Sequence, residues 1–238
     1  MASTKNNITI VLPTKNEGFS IARTIYTIQK HCNCPILVVD GYSFDQTVPV
    51  AKKFKNVEVI FDDIDSEGKG AALRKAFYHC YPDDVIFVDV DGTYELEKIG
   101  EFVKALEDGY DVVVSEKHYL NGSQPEFLGV GLYDIGDVLW QIMFGIFYGK
   151  PTANNLSGFR GLSRRAIELM RLEQDGWGIE TEIEVKSIKL CLTEKIIDVN
   201  YDKRIGESKA NFLSLNRDVF DLVKSFFKYI FWRSKNYE

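Results

Sequence analysis

DVIFVDVDGTYE, residues 84–95, runs from an apolar segment straight into two aspartates spaced one residue apart. Val85 to Val88 show no polar alternation, which suits a strand covered by helices on both faces. Similar runs recur as ITIVL (8–12), ILVVD (36–40), VEVIF (57–61) and DVVVS (111–115). Between them, segments near 17–31, 46–55, 70–80 and 95–107 carry apolar residues at helical spacing. This rhythm predicts an α/β fold with a doubly wound, mostly parallel, Rossmann-like sheet.

After residue 120 the rhythm changes. A loop, YLNGSQPEF, leads to an aromatic-rich segment from Gly131 to Tyr148 and then to NNLSGFRGLSRRA. Helices are expected to start near Ser163 and Thr181, a strand to cover 195–201, and a last helix to run from about Ser214 to Trp232. No Pro/Gly/Ser linker divides the chain, so residues 1–238 read as one domain: about 1–120, about 121–213, and a closing segment of about 214–238.

The 238 residues are 45% hydrophobic and 27% charged, ordinary usage for a chain with a full core. A net charge of −6 argues against nucleic acid held by a general basic field. Cys32, Cys34, Cys80 and Cys191 lack the paired spacing of a zinc site and are too sparse for a disulfide scaffold, which fits a reducing cytoplasm. The first residues carry no apolar stretch of signal-peptide length. The uncharged stretch from Val138 to Gly149 falls short of the roughly 20 residues that a membrane span needs.

Ligands of open α/β sheets sit at the carboxyl ends of the strands. Three such ends are polar and punctuated by Gly or Pro: Pro13-Thr14-Lys15-Asn16-Glu17, Asp40-Gly41-Tyr42-Ser43 and Asp89-Val90-Asp91-Gly92. On a strand Asp89 and Asp91 face one way, about 7 Å apart, with Val90 turned into the core. Such a pair suits Mg2+ or Mn2+, which take one or two carboxylates together with phosphate oxygens and water. Two solvated caps at a strand end are the alternative reading.

VLPTKNE (11–17), VVDGYSFDQT (38–47), GKGAALRKAF (68–77), FVDVDGTYE (87–95), SGFRGLSRRA (157–166) and RIGESK (204–209) occur in that order. Together they resemble the family 2 glycosyltransferases of the GT-A fold, over roughly residues 8–210. The similarity is to the polyprenyl-phosphate (dolichyl-phosphate) sugar synthases, the group that contains dolichol-phosphate mannose synthase.

The resemblance implies an inverting transfer of sugar from a nucleotide sugar to dolichyl or polyprenyl phosphate. It implies that Pro13 and Glu17 line the nucleobase pocket, that Asp40 lies beside the nucleoside, and that Lys69 sits near the nucleotide. Asp89 and Asp91 would hold the metal, and Arg204 and Lys209 would close over the donor phosphates. Asp91, Arg204 and Lys209 would then be the catalytic groups, since fixed cations stabilise charge growing on a leaving phosphate. Ser157, Gly158 and Arg160 would form the floor beside the acceptor, with Arg160, Arg164 and Arg165 as candidates for its phosphate; Arg164 and Arg165 open an expected helix, so surface solvation is the preferred reading for at least one of them.

Local alternatives stand beside these roles. Gly68-Lys69-Gly70 also reads as a helix-start turn with a solvated lysine; it lacks the upstream glycine and following Ser/Thr of a Walker A loop. The RIGESK segment also reads as a solvated basic turn. Glu180, Glu182 and Glu184 read as structural or positioning groups at a helix start, because an acceptor phosphate is already anionic. The chain departs from the family at Gly41 and Tyr42, where many relatives read VVDDGS. It departs again at Thr93, where mannose synthases often carry glutamine, and at Asn154, where an aspartate is common. The donor therefore stays open among UDP-glucose, UDP-N-acetylglucosamine and GDP-mannose, with UDP sugars preferred.

Val219, Leu222, Val223, Phe226, Phe227 and Ile230 fall at helical spacing, with lysines on the other side. Such a helix lies in a membrane interface or packs on its own sheet. The first option implies a peripheral protein on the cytosolic face, with the segment Leu132–Tyr148 as a second candidate for holding an isoprenoid tail. Three rival functions remain. A soluble family 2 transferase acting on a saccharide or protein hydroxyl would need Glu180 or Glu182 as base. A sugar-phosphate nucleotidyltransferase would show a Gly-rich loop after the first strand. A receiver-like Mg-binding module is usually about half this length.

Overall fold

The computed structural model describes residues 7–62, 68–120, 140–149, 157–205 and 212–232, with backbone alone for 212–219. The apolar runs form strands β1 (Ile8–Thr14), β2 (Ile36–Asp40), β3 (Val57–Phe61), β4 (Asp84–Val88) and β5 (Val112–Tyr119). Two further strands are β6 (Phe159–Leu162) and β7 (Glu194–Tyr201). All pair into one sheet of order β3-β2-β1-β4-β6-β5-β7. Parallel pairing joins β3, β2, β1 and β4, and also joins β5 to β7.

β6 runs antiparallel to both of its neighbours, β4 and β5. The sequence predicts no strand here; at four residues, β6 is too short for its periodicity to register. Its reversed direction has a structural effect. Residues that precede β6 lie at the carboxyl ends of the parallel strands, and residues that follow it lie at the amino ends.

Helices α1 (Ile21–His31), α2 (Thr47–Ala51) and α4 (Ile99–Glu107) cover one face of the sheet. In α1 the residues at i, i+4 and i+7, Ile21, Ile25 and Ile28, have no exposed surface. Helices α3 (Lys69–His79), α6 (Arg164–Met170) and α7 (Gly178–Lys189) cover the other face, around Leu73, Phe77, Ile167, Met170 and Ile183. Ser163 caps α6, its hydroxyl accepting from the Ala166 N–H at 3.1 Å.

A third layer lies outside α7, where α5 (140–148) and α8 (Phe212–Lys228) pack through Phe144, Val185, Phe226 and Tyr229. The last helix thus begins at Phe212, and α7 begins at Gly178, three residues before the expected Thr181. Among the described residues no helix is long and apolar enough to cross a membrane.

Phe102 of α4 stacks on Phe159 of β6 with ring centroids 3.9 Å apart, tying the short reversed strand to the helical layer. Phe102→Ala is expected to lower stability by about 3–5 kcal/mol, read from the urea midpoint. Tyr78→Ala removes a ring that is 87% exposed and should change it by less than about 0.5 kcal/mol.

Candidate active site

The carboxyl ends of β1, β2 and β4 converge as expected, and the loops beyond them are laced together. Asn16 N–H donates to the Ser43 hydroxyl at 2.7 Å, and Phe44 N–H donates to Asn16 Oδ1 at 3.0 Å. Glu17 N–H donates to the Thr47 hydroxyl at 2.8 Å. Asp40 has no exposed surface. Its carboxylate accepts from Thr14 Oγ1 at 3.1 Å, from Ser43 N at 2.7 Å and from Ser43 Oγ at 2.6 Å, so it braces the turn after β2.

Asp89 and Asp91 extend beyond β4. Lys69, the first residue of α3, places its ammonium 2.6 Å from Asp89 Oδ1 and 2.6 Å from Glu180 Oε1. Its side chain is 9% exposed, which overturns the solvated-lysine reading of the GKG turn. Both glycines of that turn have a steric reason. A Cβ at Gly68, whose φ is +133°, would come within 2.5 Å of Asp175 O, and one at Gly70 would overlap Gln174 O.

Burial alone would pull the Lys69 ammonium down in pKa, but Asp89 and Glu180 hold it above its ordinary range. Burial pushes Asp89 up to about 6, with Asp91 and Glu180 adding to it and Lys69 opposing. Burial would also raise Glu180, but Lys69 outweighs it and holds Glu180 below the usual carboxylate range.

Asp91 is held differently. Its Oδ1 accepts from Thr93 N at 3.1 Å and Thr93 Oγ1 at 2.7 Å, and its Oδ2 lies 3.3 Å from Arg204 Nη1. The Thr93 hydroxyl, singled out in sequence as a donor determinant, is thus directed at Asp91. Arg204 reaches the site because the chain after β7 is pinned over the DxD turn. Asp202 N–H donates to Thr93 O and Ile205 N–H donates to Asp91 O, both at 2.8 Å. Gly92 adopts φ +77°, and a Cβ there would come within 2.7 Å of Ile205. Arg204 Nη2 also meets Glu17 Oε1 at 2.8 Å, while its buried Nε has no hydrogen-bond partner among the described residues.

Gly158 lies against Asp89 so closely that a Cβ there would overlap Oδ2. Its N–H donates to the Tyr94 hydroxyl at 2.7 Å, and its carbonyl accepts from Asp89 N at 3.1 Å. Ser157 is buried against Ser115. The expectation that Arg160, Arg164 and Arg165 meet an acceptor phosphate is corrected. Arg160 has no exposed surface and pairs with Glu184 at 3.2 Å. Arg164 and Arg165 follow the reversed β6 and lie at the opposite edge of the sheet, held by Asp84 and Asp111. Lys209 and Asn154 lie outside the described residues.

Sequence reasoning missed Lys117. It is half-buried near the end of β5, its ammonium 5.1 Å from the Tyr201 ring and 5.9 Å from the Tyr94 ring. Burial lowers its pKa, against the attraction of Glu180 and Asp89. Only β5–β7 pairing and the buried Tyr94 bring it to the site, so no motif marks it.

Among the described residues no three His, Cys, Asp or Glu side chains cluster to hold an ion unaided. Asp89 and Asp91 nonetheless fit a hard divalent cation, since such an ion completes its shell with water and substrate phosphates. On its own side of the first carboxylate Gly158 presents only backbone. The orphaned Arg204 Nε provides a donor suited to a phosphate oxygen beside the second.

This sheet order, with carboxylates and cations gathered at the strand ends, defines a glycosyltransferase of the GT-A class. The model of glycosyl transferase family 2 matches residues 9–170, and the chain belongs to that family. It is 30% identical over 209 residues to glycosyltransferase AglJ of Haloferax volcanii, covering 87% of this chain and 67% of the relative. A dolichyl-phosphate hexose transferase of the same organism is 23% identical over 87% of this chain and 88% of its own. The dolichol-phosphate mannosyltransferase of Pyrococcus furiosus is 22% identical over 96% of this chain and 65% of its own. In fold, the chain matches glucosyl-3-phosphoglycerate synthase of Mycobacterium tuberculosis, solved with Mn2+, UDP and phosphoglyceric acid. The TM-score is 0.72 at 20% identity, over 97% of this chain and 80% of that one.

Lys69→Ala is expected to destabilise the fold by about 3–5 kcal/mol, because it strands two carboxylates that burial disfavours. Without the ammonium, Asp89 and Glu180 would titrate above their unfolded values, so the native state would bind more protons than the unfolded one. Stability of the variant should therefore fall as pH rises from about 4 to 7, measured by urea titration at each pH. Gly158→Ala is expected to displace the Asp89 carboxylate and weaken metal-dependent nucleotide binding by at least about tenfold, about 1.4 kcal/mol, in calorimetric titration.

Proposed function

We propose that the enzyme transfers a sugar, with inversion, from a nucleotide sugar to dolichyl or polyprenyl phosphate. UDP-glucose or UDP-N-acetylglucosamine ranks ahead of GDP-mannose as donor. The product would supply lipid-linked sugar for glycan assembly. The dolichyl-phosphate relatives support the acceptor class, and the UDP bound to the M. tuberculosis synthase supports a uridine donor.

The observation that carries the acceptor is the state of two glutamates. Glu182 has no exposed surface and accepts from Glu173 N at 3.0 Å, Gln174 N at 2.9 Å and Lys186 Nζ at 2.5 Å. Glu180, 1% exposed, is held by Lys69. Neither is poised as a base for a hydroxyl, whereas an acceptor phosphate is ionised already and attacks without one.

In this reading Pro13, Glu17 and Asp40 shape the nucleoside side of the cleft, with Glu17 also fixing Arg204. Asp89 and Asp91 hold Mg2+ or Mn2+, which when bound neutralises charge on the donor diphosphate. Lys69 keeps Asp89 ionised and oriented beside the nucleotide. An acceptor phosphate oxygen forms the new bond to the anomeric carbon. The bond from that carbon to the nucleoside diphosphate breaks, and its electron pair leaves with the diphosphate. Arg204 and Lys209 stabilise that growing charge. Ser157, Gly158 and Arg160 form the floor, Arg160 from beneath through Glu184, and Lys117 meets the acceptor phosphate.

Peripheral contact with the cytosolic face of a membrane goes with a lipid acceptor. Ile142, Ile146 and Phe147 of α5 are exposed, and Phe147 lies beside the exposed Phe227 of α8, with ring centroids 6.1 Å apart. Phe220 and, just beyond α8, Phe231 extend this apolar surface.

Nucleoside diphosphate release, measured across a donor panel with Mn2+, should occur only when polyprenyl phosphate is added. Turnover of phosphoglycerate or a simple sugar with no glycolipid product would overturn the assignment. Lys117→Ala should raise KM for the lipid phosphate about tenfold or more, with donor KM unchanged. Replacing Phe227 and Phe231 with Ser should reduce co-sedimentation with anionic vesicles about tenfold, since each ring buries a large apolar area.

A further inference from the structure

The turn after β2 carries a backbone outlier. Tyr42 has φ +60°, in the left-handed region that glycine occupies freely and a bulky residue rarely adopts. Such a conformation persists where its surroundings impose it. Here the surroundings are plain. Gly41 N–H donates to Thr14 O at 2.8 Å, and Asp40 clamps Ser43 through both its N–H and its hydroxyl. Tyr42 has no freedom to relax between those two anchors.

The ring is neither buried nor free. It is 48% exposed and stacks on Phe61, the last residue of β3, with centroids 5.6 Å apart and planes 26° apart. Phe61 is itself 42% exposed, with Lys52 Nζ 6.0 Å from its centroid. Two aromatic rings thus stand at the carboxyl ends of β2 and β3, on the same rim as Asp89 and Asp91.

Strand spacing sets the scale. β2 lies two strands from β4, about 10 Å away, which is the direction and span a ribose and base must cover from a diphosphate held at Asp89 and Asp91. The loop 13–17, which borders that path, is laced to the same turn through Asn16 and Ser43. Asp40, with no exposed surface, offers the base nothing directly. A flat, half-exposed ring held at a fixed angle suits the face of a nucleobase, because every base presents a π-surface.

We propose that Tyr42, braced on Phe61 and held in place by Asp40, is the surface on which the donor's nucleobase stacks. This rests on the nucleotide-sugar reading above. The role of Asp40 then changes from contact to positioning: it fixes the turn that presents the ring.

The full chain with Mn2+ should be titrated calorimetrically with UDP, GDP and inorganic pyrophosphate, as wild type, Tyr42→Phe and Tyr42→Gly. Glycine takes φ +60° without strain, so Tyr42→Gly removes the ring and not the fold, which thermal unfolding checks. The expected result is a loss of about tenfold in nucleoside diphosphate affinity for Tyr42→Gly, less than about twofold for Tyr42→Phe, and unchanged pyrophosphate affinity in both. Equal UDP and GDP affinity in Tyr42→Gly and wild type overturns the proposal, as does a parallel loss of pyrophosphate. A wild type that binds pyrophosphate but no nucleoside diphosphate overturns the nucleotide-sugar reading itself, and this inference with it.

Discussion

The ammonium of Lys69 lies 2.6 Å from two carboxylates that come from distant parts of the chain, Asp89 beyond β4 and Glu180 in the first turn of α7. It joins three elements at the carboxyl edge of the sheet. A buried ion pair adds little net stability over a well-packed apolar substitute, yet removing one partner strands the others. The arrangement is therefore best understood as a constraint on position. Asp89 is held just beyond the end of β4, and α7 is held against the start of α3. Gly158, which could not carry a side chain beside Asp89, fits the same constraint from the side of β6.

Helix α7 follows from that constraint. Its sequence, GIETEIEVKSIK, mixes charged with apolar residues, and ten of them, Gly178 through Ser187, are buried. It lies between the sheet and the outer layer of α5 and α8, so each buried charge needs a partner. Glu180 takes Lys69, Glu184 takes Arg160, and Glu182 takes Lys186 together with the backbone of residues 173 and 174. The segment 171–176 is thereby fixed between the end of α8, just beyond which the Tyr229 hydroxyl donates to Glu173, and the start of α3, where Ala71 N–H donates to Asp175 O. Through these contacts the outer helix and the donor site share one scaffold.

Much of the fold was legible locally. Five apolar runs became strands at or near their predicted bounds; for β1, β2 and β4 the reason is that parallel strands buried on both faces need no alternation to be recognised. Asp89, Asp91 and Gly92 announced a turn that the structure contains, with Gly92 at positive φ. β6 was not legible, since four residues between two strands leave no periodic signal. The side of the sheet on which Arg164 and Arg165 emerge depends on the direction of that one short strand, so their placement at the acceptor could not be tested by spacing. Lys117 lies in no motif, and the motif that contains Tyr94 gave its ring no role; the pairing of β5 with β7, the bridge from Tyr94 to Tyr201 and the Gly158 N–H that donates to the Tyr94 hydroxyl bring both to the site.

Sequence alone determined the class of sheet, the strand ends at which chemistry collects, and the order of motifs that marks family 2, because these depend on residue type and near-neighbour spacing. Tertiary structure decided which charges face one another. It turned a lysine that reads as solvated into the clamp on Asp89, removed Arg160 from the surface, and spent Asp40 and Thr93 on their own turns. The physical reason is range: backbone pattern acts over a few residues, whereas an ion pair is set by elements 111 residues apart, as Lys69 and Glu180 are.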